Sequence, residues 1–329
     1  MSTVLRAGLV GLGVMGRNHA RVLGALDGVQ LVAAADPRPG AAVTGVEVVA
    51  TVRELIGRGI DMCVVATPTA THEKIGLELA EAGVPTLIEK PLAHDSKAAQ
   101  TLVEAFARNQ VPGAVGHIER FNPALQHMRR RLDLGELGEL YQVVTRRQGP
   151  FPARVTDAGV ALDLATHDID LTAWLTRSRY SSISARTAHR SGRGNEDLVS
   201  AVAELANGIV VTHLVNWLSP LKERIITVTG ELGCFVADTV TADLTFYQNG
   251  VEPVEWDRVA SFRGVSEGNV TRYAIRKPEP LVTELANFAA FVRGGGAEVV
   301  SLAEGLTTVR VAETLRESAD AGATLEIRG

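Results

Sequence analysis

From residue 4 to about residue 116, short apolar runs alternate with helical patterns, the arrangement of repeated beta-alpha-beta units around a parallel sheet. The runs at 4–10, 29–36, 48–50, 60–66, 86–89 and 111–116 are nearly continuous in apolar residues, as strands covered on both faces must be. Thr71 is placed to cap a helix ending at Gly83, and Ser96 one ending near Asn109, because their hydroxyls accept otherwise unanswered amide hydrogens. Beyond Gly138 the pattern changes, and 140–146, 182–188, 198–205, 209–215, 224–229 and 244–247 resemble strands. Asn207-Gly208 and Asn249-Gly250 suit two-residue type I′ hairpins, so the strands beside them are expected to be antiparallel. Helical stretches remain at 124–132, 160–175, 280–293 and 302–321. The expected fold is an α/β domain over 1–118 followed by an α+β domain over 119–329 with a second, mainly antiparallel sheet.

Composition narrows the function. A chain of 329 residues is expected to form two domains. With 46% hydrophobic and 22% charged residues it is ordinary for a globular protein, which argues against disorder and fibrous architecture. The net charge of −5 provides no global positive field for nucleic acid or an anionic membrane, so the expected partner is a small molecule. Cys63 and Cys234 lack metal-ligand spacing and sit in apolar runs, which fits reduced thiols in a cytoplasmic protein rather than a disulfide framework. No stretch reaches the roughly 20 apolar residues of a membrane span, and the first residues show no cleavable signal pattern.

Gly11-Leu12-Gly13-Val14-Met15-Gly16 follows an apolar strand and opens a helix, the context of a Rossmann dinucleotide turn. The first glycine permits the turn, the second admits a pyrophosphate to the backbone, and the third lets helix and strand pack closely. Asp36, twenty residues after Gly16, can accept hydrogen bonds from the ribose hydroxyls of NAD. A 2′-phosphate would meet like charge there, although Arg38 partly offsets it, so NAD is favoured over NADP. FAD stays open on this motif alone. The bland alternative is a tight strand-to-helix connection with Asp36 opening a turn at Pro37.

Ala66-Thr67-Pro68-Thr69-Ala70-Thr71-His72, Glu89-Lys90-Pro91 and Asp163-x-x-x-His167 follow in that order. Together with Glu279-Pro280-Leu281, Glu284 and Phe288 they resemble the Gfo/Idh/MocA family of oxidoreductases over nearly the whole chain. The resemblance implies a Rossmann domain, a second domain with a large open antiparallel sheet used to form homodimers or homotetramers, and a nicotinamide cofactor between them. It implies that Thr67, Pro68, His72 and Glu89 line the cofactor site and that Lys90 stands beside nicotinamide and substrate, its bond to Pro91 a candidate for the cis form. It also implies that Lys90, Asp163 and His167 are catalytic. The spacing of four puts Asp163 and His167 on one helix face, with Asp170 three further on. A carboxylate and an imidazole can hold a secondary alcohol and take its proton. The alternatives are a helix cap, a surface ion pair, or a zinc site with Asp170, which needs a further ligand that the sequence does not clearly supply. Ala165 stands where the family commonly has glycine.

Seven arginines (Arg120, Arg129, Arg130, Arg131, Arg146, Arg147, Arg154) oppose four acids between Glu119 and Arg154. A guanidinium suits phosphate oxygens, so a phosphorylated or nucleotide-linked substrate is inferred, with Arg120 and Arg154 as substrate-binding candidates. Only one of the neighbours Arg146 and Arg147 can face a pocket. Trp217 is a candidate wall of the substrate site or a core residue. The expected reaction is hydride transfer between NAD and a sugar ring alcohol, at C3 of a nucleotide sugar. An inositol or polyol dehydrogenase and a non-catalytic NAD-dependent sensor are the alternatives.

Overall fold

Strands apolar on both sides have to be sandwiched, and in the computed structural model, which describes residues 4–152, 158–250, 266–296 and 298–327, they are. β1 (Leu5–Val10), β2 (Val29–Ala35), β3 (Glu47–Val49), β4 (Met62–Val65), β5 (Thr86–Glu89) and β6 (Gly113–Gly116) form a sheet in the order β3-β2-β1-β4-β5-β6. Every pairing is parallel. The order reverses direction between β1 and β4, and ligands bind at such a switch point, beyond the carboxyl ends of the strands. Alternation divides the core: Leu87 of β5 packs with Leu9, Val64 and Ala114 on one face, while Ile88 packs with Val65 and Val115 on the other. The helices α1 (Val14–Leu23), α2 (Val52–Ile56), α3 (His72–Glu81) and α4 (Ser96–Arg108) cover it.

Both caps differ from expectation. Thr71 donates its hydroxyl hydrogen to the carbonyl of Pro68 at 2.7 Å, closing a short turn before α3 instead of capping it. Asp95 caps α4 by accepting from the amide of Ala98 at 2.7 Å, so Ser96 is already the first helical residue. An ionised acceptor makes the stronger bond to an amide than a hydroxyl does.

The second unit comprises residues 119–277 and 311–329. After α5 (Pro123–Asp133) come β7 (Leu140–Pro150), a π-helical turn (Ala161–Ala165) and α6 (Thr166–Thr176). Then follow β8 (Tyr180–Ala188), β9 (Leu198–Leu205), β10 (Val210–Asn216), β11 (Leu218–Gly230), β12 (Gly233–Asp238), β13 (Asp243–Gly250) and β14 (Ser266–Arg272). Together with β15 (Leu325–Glu326) they form an open sheet in the order β14-β13-β12-β11-β7-β10-β9-β8-β15, antiparallel except where β7 meets β10. Along β9, Val199, Ala201, Ala203 and Leu205 are buried against the helices and the residues between them are exposed, the pattern of a sheet covered on one side.

The two expected hairpins fare differently. β9 and β10 are antiparallel, but only Gly208 has a positive φ, +82°, so the turn is not type I′. Leu205 accepts from Gly208 and donates to Ile209, leaving a longer connection with glycine in the left-handed place. Asn249 and Gly250 are strand residues of β13, opposite Glu267 and Ser266. Asn249 is held in the ladder because its amide and side chain donate to Leu232 and Glu231.

The chain divides after Ile118, but residues 278–310 return to the first unit rather than staying in an undivided 119–329 domain. The helix α7 (Pro280–Val292) explains the return: Leu281, Leu285, Phe288 and Ala289 form an apolar stripe buried with Leu9, Leu12, Leu87 and Ala114. The helix α8 (Leu302–Ala321) gives Leu302, Leu306 and Val309 to the first unit's core and Val311, Ala312 and Leu315 to the second's. Among the described residues no helix is long and apolar enough to cross a membrane. Phe288→Ala is expected to cost about 3–5 kcal/mol of stability, read from urea unfolding. A loss below about 1 kcal/mol would show that α7 is not part of the first core.

Candidate active site

The carboxyl ends of β1, β2, β4 and β5 are followed by Gly11, Asp36, Thr67 and Lys90 respectively, so parallel pairing brings these four positions to one edge of the first sheet. Gly11 has φ +91°, and a Cβ there would lie 2.6 Å from the carbonyl oxygen of Ala66. At Gly16 a Cβ would sit 1.9 Å from the Gly11 oxygen, whereas at Gly13 it would meet nothing within 4 Å. α1 therefore packs against the strand end and leaves space beside Gly13. No side chain caps it, so its first amides, including those of Val14 and Met15, remain available to an anion. The Leu12 side chain is core. These features fit a dinucleotide pyrophosphate.

Asp36 accepts from the Leu12 amide at 2.7 Å and from Arg38 through Nε at 2.9 Å and Nη2 at 2.7 Å. The Arg38 hydrogen bonds hold the carboxyl down at about 2, against the opposing effect of burial, with help from the Leu12 amide. The Asp36 carboxylate thus carries an arginine neighbour on its own loop.

Thr67 and Pro68 follow β4 one residue on, after Ala66. The His72 ring is buried, with Nε2 3.0 Å from the Thr67 carbonyl and Nδ1 3.0 Å from the Pro91 carbonyl. Burial keeps this ring neutral, so it donates to one carbonyl at a time. Its place is a brace between the Thr67 and Lys90 turns. The Lys90-Pro91 bond is cis, and Lys90 itself is half-buried. Glu89 is buried with an oxygen 2.7 Å from His19 Nε2. Burial opposes its ionisation, but His19 and Lys90 hold it below the usual carboxylate range.

Leu87 and Glu89 share a strand face, and Leu281, Glu284, Leu285 and Phe288 share the helix face packed over it. Glu284 is thereby brought toward Glu89. It is 2% exposed, and neither of its oxygens has a hydrogen-bond partner among the described residues. Burial first, and the Glu89 charge second, raise its pKa well above 4.5.

In the second unit, Asp163 lies buried on the π-helical turn and His167 half-buried in the first turn of α6. A widened turn of this kind is frequent at functional sites. The buried Ala165 lies between them. Two arginines fasten α6: Arg147 Nε donates to Asp168 at 2.9 Å, and Arg120 grips Asp170 at 2.8 and 2.6 Å. Arg147 also reaches Glu119 at 2.9 Å. Arg120, expected at the substrate, is thus buried and committed to Asp170, which also removes that carboxylate from the zinc alternative. Among the described residues no group of three His, Cys, Asp or Glu is placed to hold a metal. Trp217 is core, edge-on to Phe151 at 5.1 Å. Arg154 lies outside the described residues.

Of the neighbours Arg146 and Arg147, the inward one is Arg147, as its alternation with Val143 and Thr145 marks; the sequence reading leaves Glu284 without a role. His213 is buried between Thr145 and Tyr180 at 2.7 and 2.8 Å.

Residues 5–117 match the model of the Gfo/Idh/MocA oxidoreductase family, NAD-binding Rossmann fold, and residues 125–236 match the Gfo/Idh/MocA C-terminal domain. The chain is 36% identical over 223 residues to inositol 2-dehydrogenase 4 of Saccharopolyspora erythraea, covering 63% of this chain and 65% of that one. It is 31% identical over 213 residues to UDP-N-acetylglucosamine 3-dehydrogenase of Acidithiobacillus ferrooxidans, covering 63% and 65%. The matches thus span less than two thirds of either relative's length. A solved structure of the latter protein superposes with a TM-score of 0.83 at 25% identity, covering 96% of this chain and 98% of that one. The scyllo-inositol 2-dehydrogenase (NAD(+)) of Bacillus subtilis is 26% identical over 322 residues, covering 92% and 90%.

Asp36→Ala is expected to weaken NAD binding more than NADP binding, since it removes the ribose acceptor and releases Arg38; an unchanged affinity ratio in fluorescence titrations would remove Asp36 from that role. Glu284 contributes stability that is present below about pH 4.5 and lost as pH rises through its raised pKa. Urea midpoints measured from acid to mildly alkaline pH should therefore fall more steeply for the wild type than for Glu284→Gln. Parallel curves would refute the buried neutral acid.

Proposed function

Because this chain belongs to the Gfo/Idh/MocA family of oxidoreductases, we propose that it is an NAD-dependent dehydrogenase acting on a ring secondary alcohol of a sugar or cyclitol. The observation that carries the reading is the convergence of Gly11, Asp36, Thr67 and Lys90 on the carboxyl edge of one parallel sheet. Across the sheet the ribose acceptor after β2, the phosphate cradle after β1 and the lysine after β5 then stand in the order that a dinucleotide runs.

Bound NAD supplies the hydride acceptor. The amides at the start of α1 hold the pyrophosphate, and Asp36 holds the adenosine ribose. Lys90 donates a hydrogen bond to the reacting oxygen. In the oxidative direction His167 takes the hydroxyl proton, while Asp163 orients the sugar or the imidazole; such proton transfer contributes about 10²–10⁴ in rate. His72 positions the Lys90 turn, and the Arg147–Asp168 and Arg120–Asp170 pairs position α6.

Two substrates fit this chemistry. Oxidation of a nucleotide sugar at C3 is supported by the likeness to the UDP-N-acetylglucosamine enzyme over 96% of the chain. Oxidation of an inositol is supported by the 36% identity to an inositol 2-dehydrogenase. Association into a homodimer or homotetramer accompanies either reading, supported by exposed Val202 and Val210 on the uncovered sheet face.

The test is a panel of UDP-sugars and free cyclitols with NAD, followed by NADH absorbance. Lys90→Ala and His167→Asn should each lower turnover about 10²–10⁴-fold while NADH binding, read by fluorescence, stays within about twofold. Wild-type turnover in both variants would end the catalytic assignment.

A further inference from the structure

Along β11, Ile226 and Val228 point into the second unit's core, so Arg224, two residues earlier, leaves the same face. Along β7, Val143, Thr145 and Arg147 do likewise. The ladder pairs Arg224 directly with Arg147, which sets two guanidinium groups side by side. Like charges so placed repel unless counterions answer both.

Arg147 has its answer in Asp168 and Glu119, each at 2.9 Å. Among the described residues Arg224 is in no ion pair, and its Nη1 makes only long contacts to the backbone oxygens of Glu223 at 3.3 Å and Gln148 at 3.5 Å. The neighbouring carboxylate of Glu223 is on the opposite face, taken by Arg146 at 3.0 Å and by Gln148. Arg224 is half-buried, which excludes part of the water that would otherwise solvate it. Burial and Arg147 lower its pKa, while the charges of Glu119, Asp168 and Asp163 work to hold its proton. Its ladder partner Arg147 is bonded to Asp168, the residue after His167, which connects the guanidinium to the helix that carries the proposed substrate residue.

From this arrangement we propose that Arg224 is the oxyanion-binding residue of the substrate site, and that the substrate is a sugar carrying a carboxylate or a phosphate. This inference rests on the reading of Asp163 and His167 as facing substrate. A guanidinium presents a planar fork to either oxyanion, and a substrate anion would complete the charge balance that Arg147 already has.

The experiment is calorimetric titration of the NADH-loaded protein at fixed ionic strength with D-glucuronate, D-glucose 1-phosphate and neutral D-glucose. The wild type should bind one or both anions about 10- to 100-fold more tightly than glucose, and which anion wins identifies the source of the charge. Arg224→Met should reduce that preference to nothing, and Arg224→Lys, which keeps the charge without the fork, should retain part of it. If Arg224→Met does not fold, the lysine variant carries the test, since an undiminished preference in it overturns the fork. The proposal also fails if the wild type binds neither anion more tightly than glucose, or if the methionine variant keeps the preference. Arg224-dependent anion binding with no NAD-linked turnover of any sugar would sink the dehydrogenase reading and leave this one standing.

Discussion

The first turn of α1 can lie against the end of β1 only because position 16 carries no side chain, for a Cβ there would overlap the Gly11 carbonyl oxygen at 1.9 Å. That contact fixes where the uncapped amides of the helix point and how much room remains beside Gly13. It also fixes Leu12, whose amide is spent on Asp36 and whose side chain is spent in the core. The glycine turn and Asp36 are therefore one mechanical unit: the Leu12 amide within the turn donates to the Asp36 carboxylate at the end of the neighbouring strand.

A second consequence of close packing is that the carboxyl edge of the sheet is braced from within. His72 links two of its turns through their carbonyls, and His19 ties α1 to Glu89, the residue before Lys90. In the second unit the bracing is ionic. Buried pairs such as Arg147–Asp168 give little net stability, because desolvating both charges offsets most of their attraction. Their effect is to fix the direction of α6, since removing either partner leaves a buried charge unanswered.

Much of this was legible in the chain. Continuous apolar runs identify the six parallel strands because burial on both faces leaves no other composition, and the glycine turn with Asp36 identifies the cradle because each position has a distinct steric or electrostatic reason. Elements whose identity depends on distant partners were not legible. Ser96 and Asp95 are both capable caps, and only the backbone angle decides between them. Asn249-Gly250 has turn chemistry, yet Glu231 and Leu232 hold Asn249 in a ladder. Arg120 and Arg154 were both substrate candidates in sequence, but Asp170 claims the former. The apolar stripe of α7 is plain, whereas the sheet that receives it lies far back in the chain.

That last separation has a bearing on biogenesis. The sheet face that α7 covers is complete once Gly116 has left the ribosome, yet Phe288 follows much later. At about 5–20 residues per second, the roughly 170 intervening residues take on the order of 10 to 30 seconds to make. Through that interval the nascent first unit presents Leu9, Leu87 and Ala114 without their cover, a sticky surface in need of a chaperone or of rapid elongation.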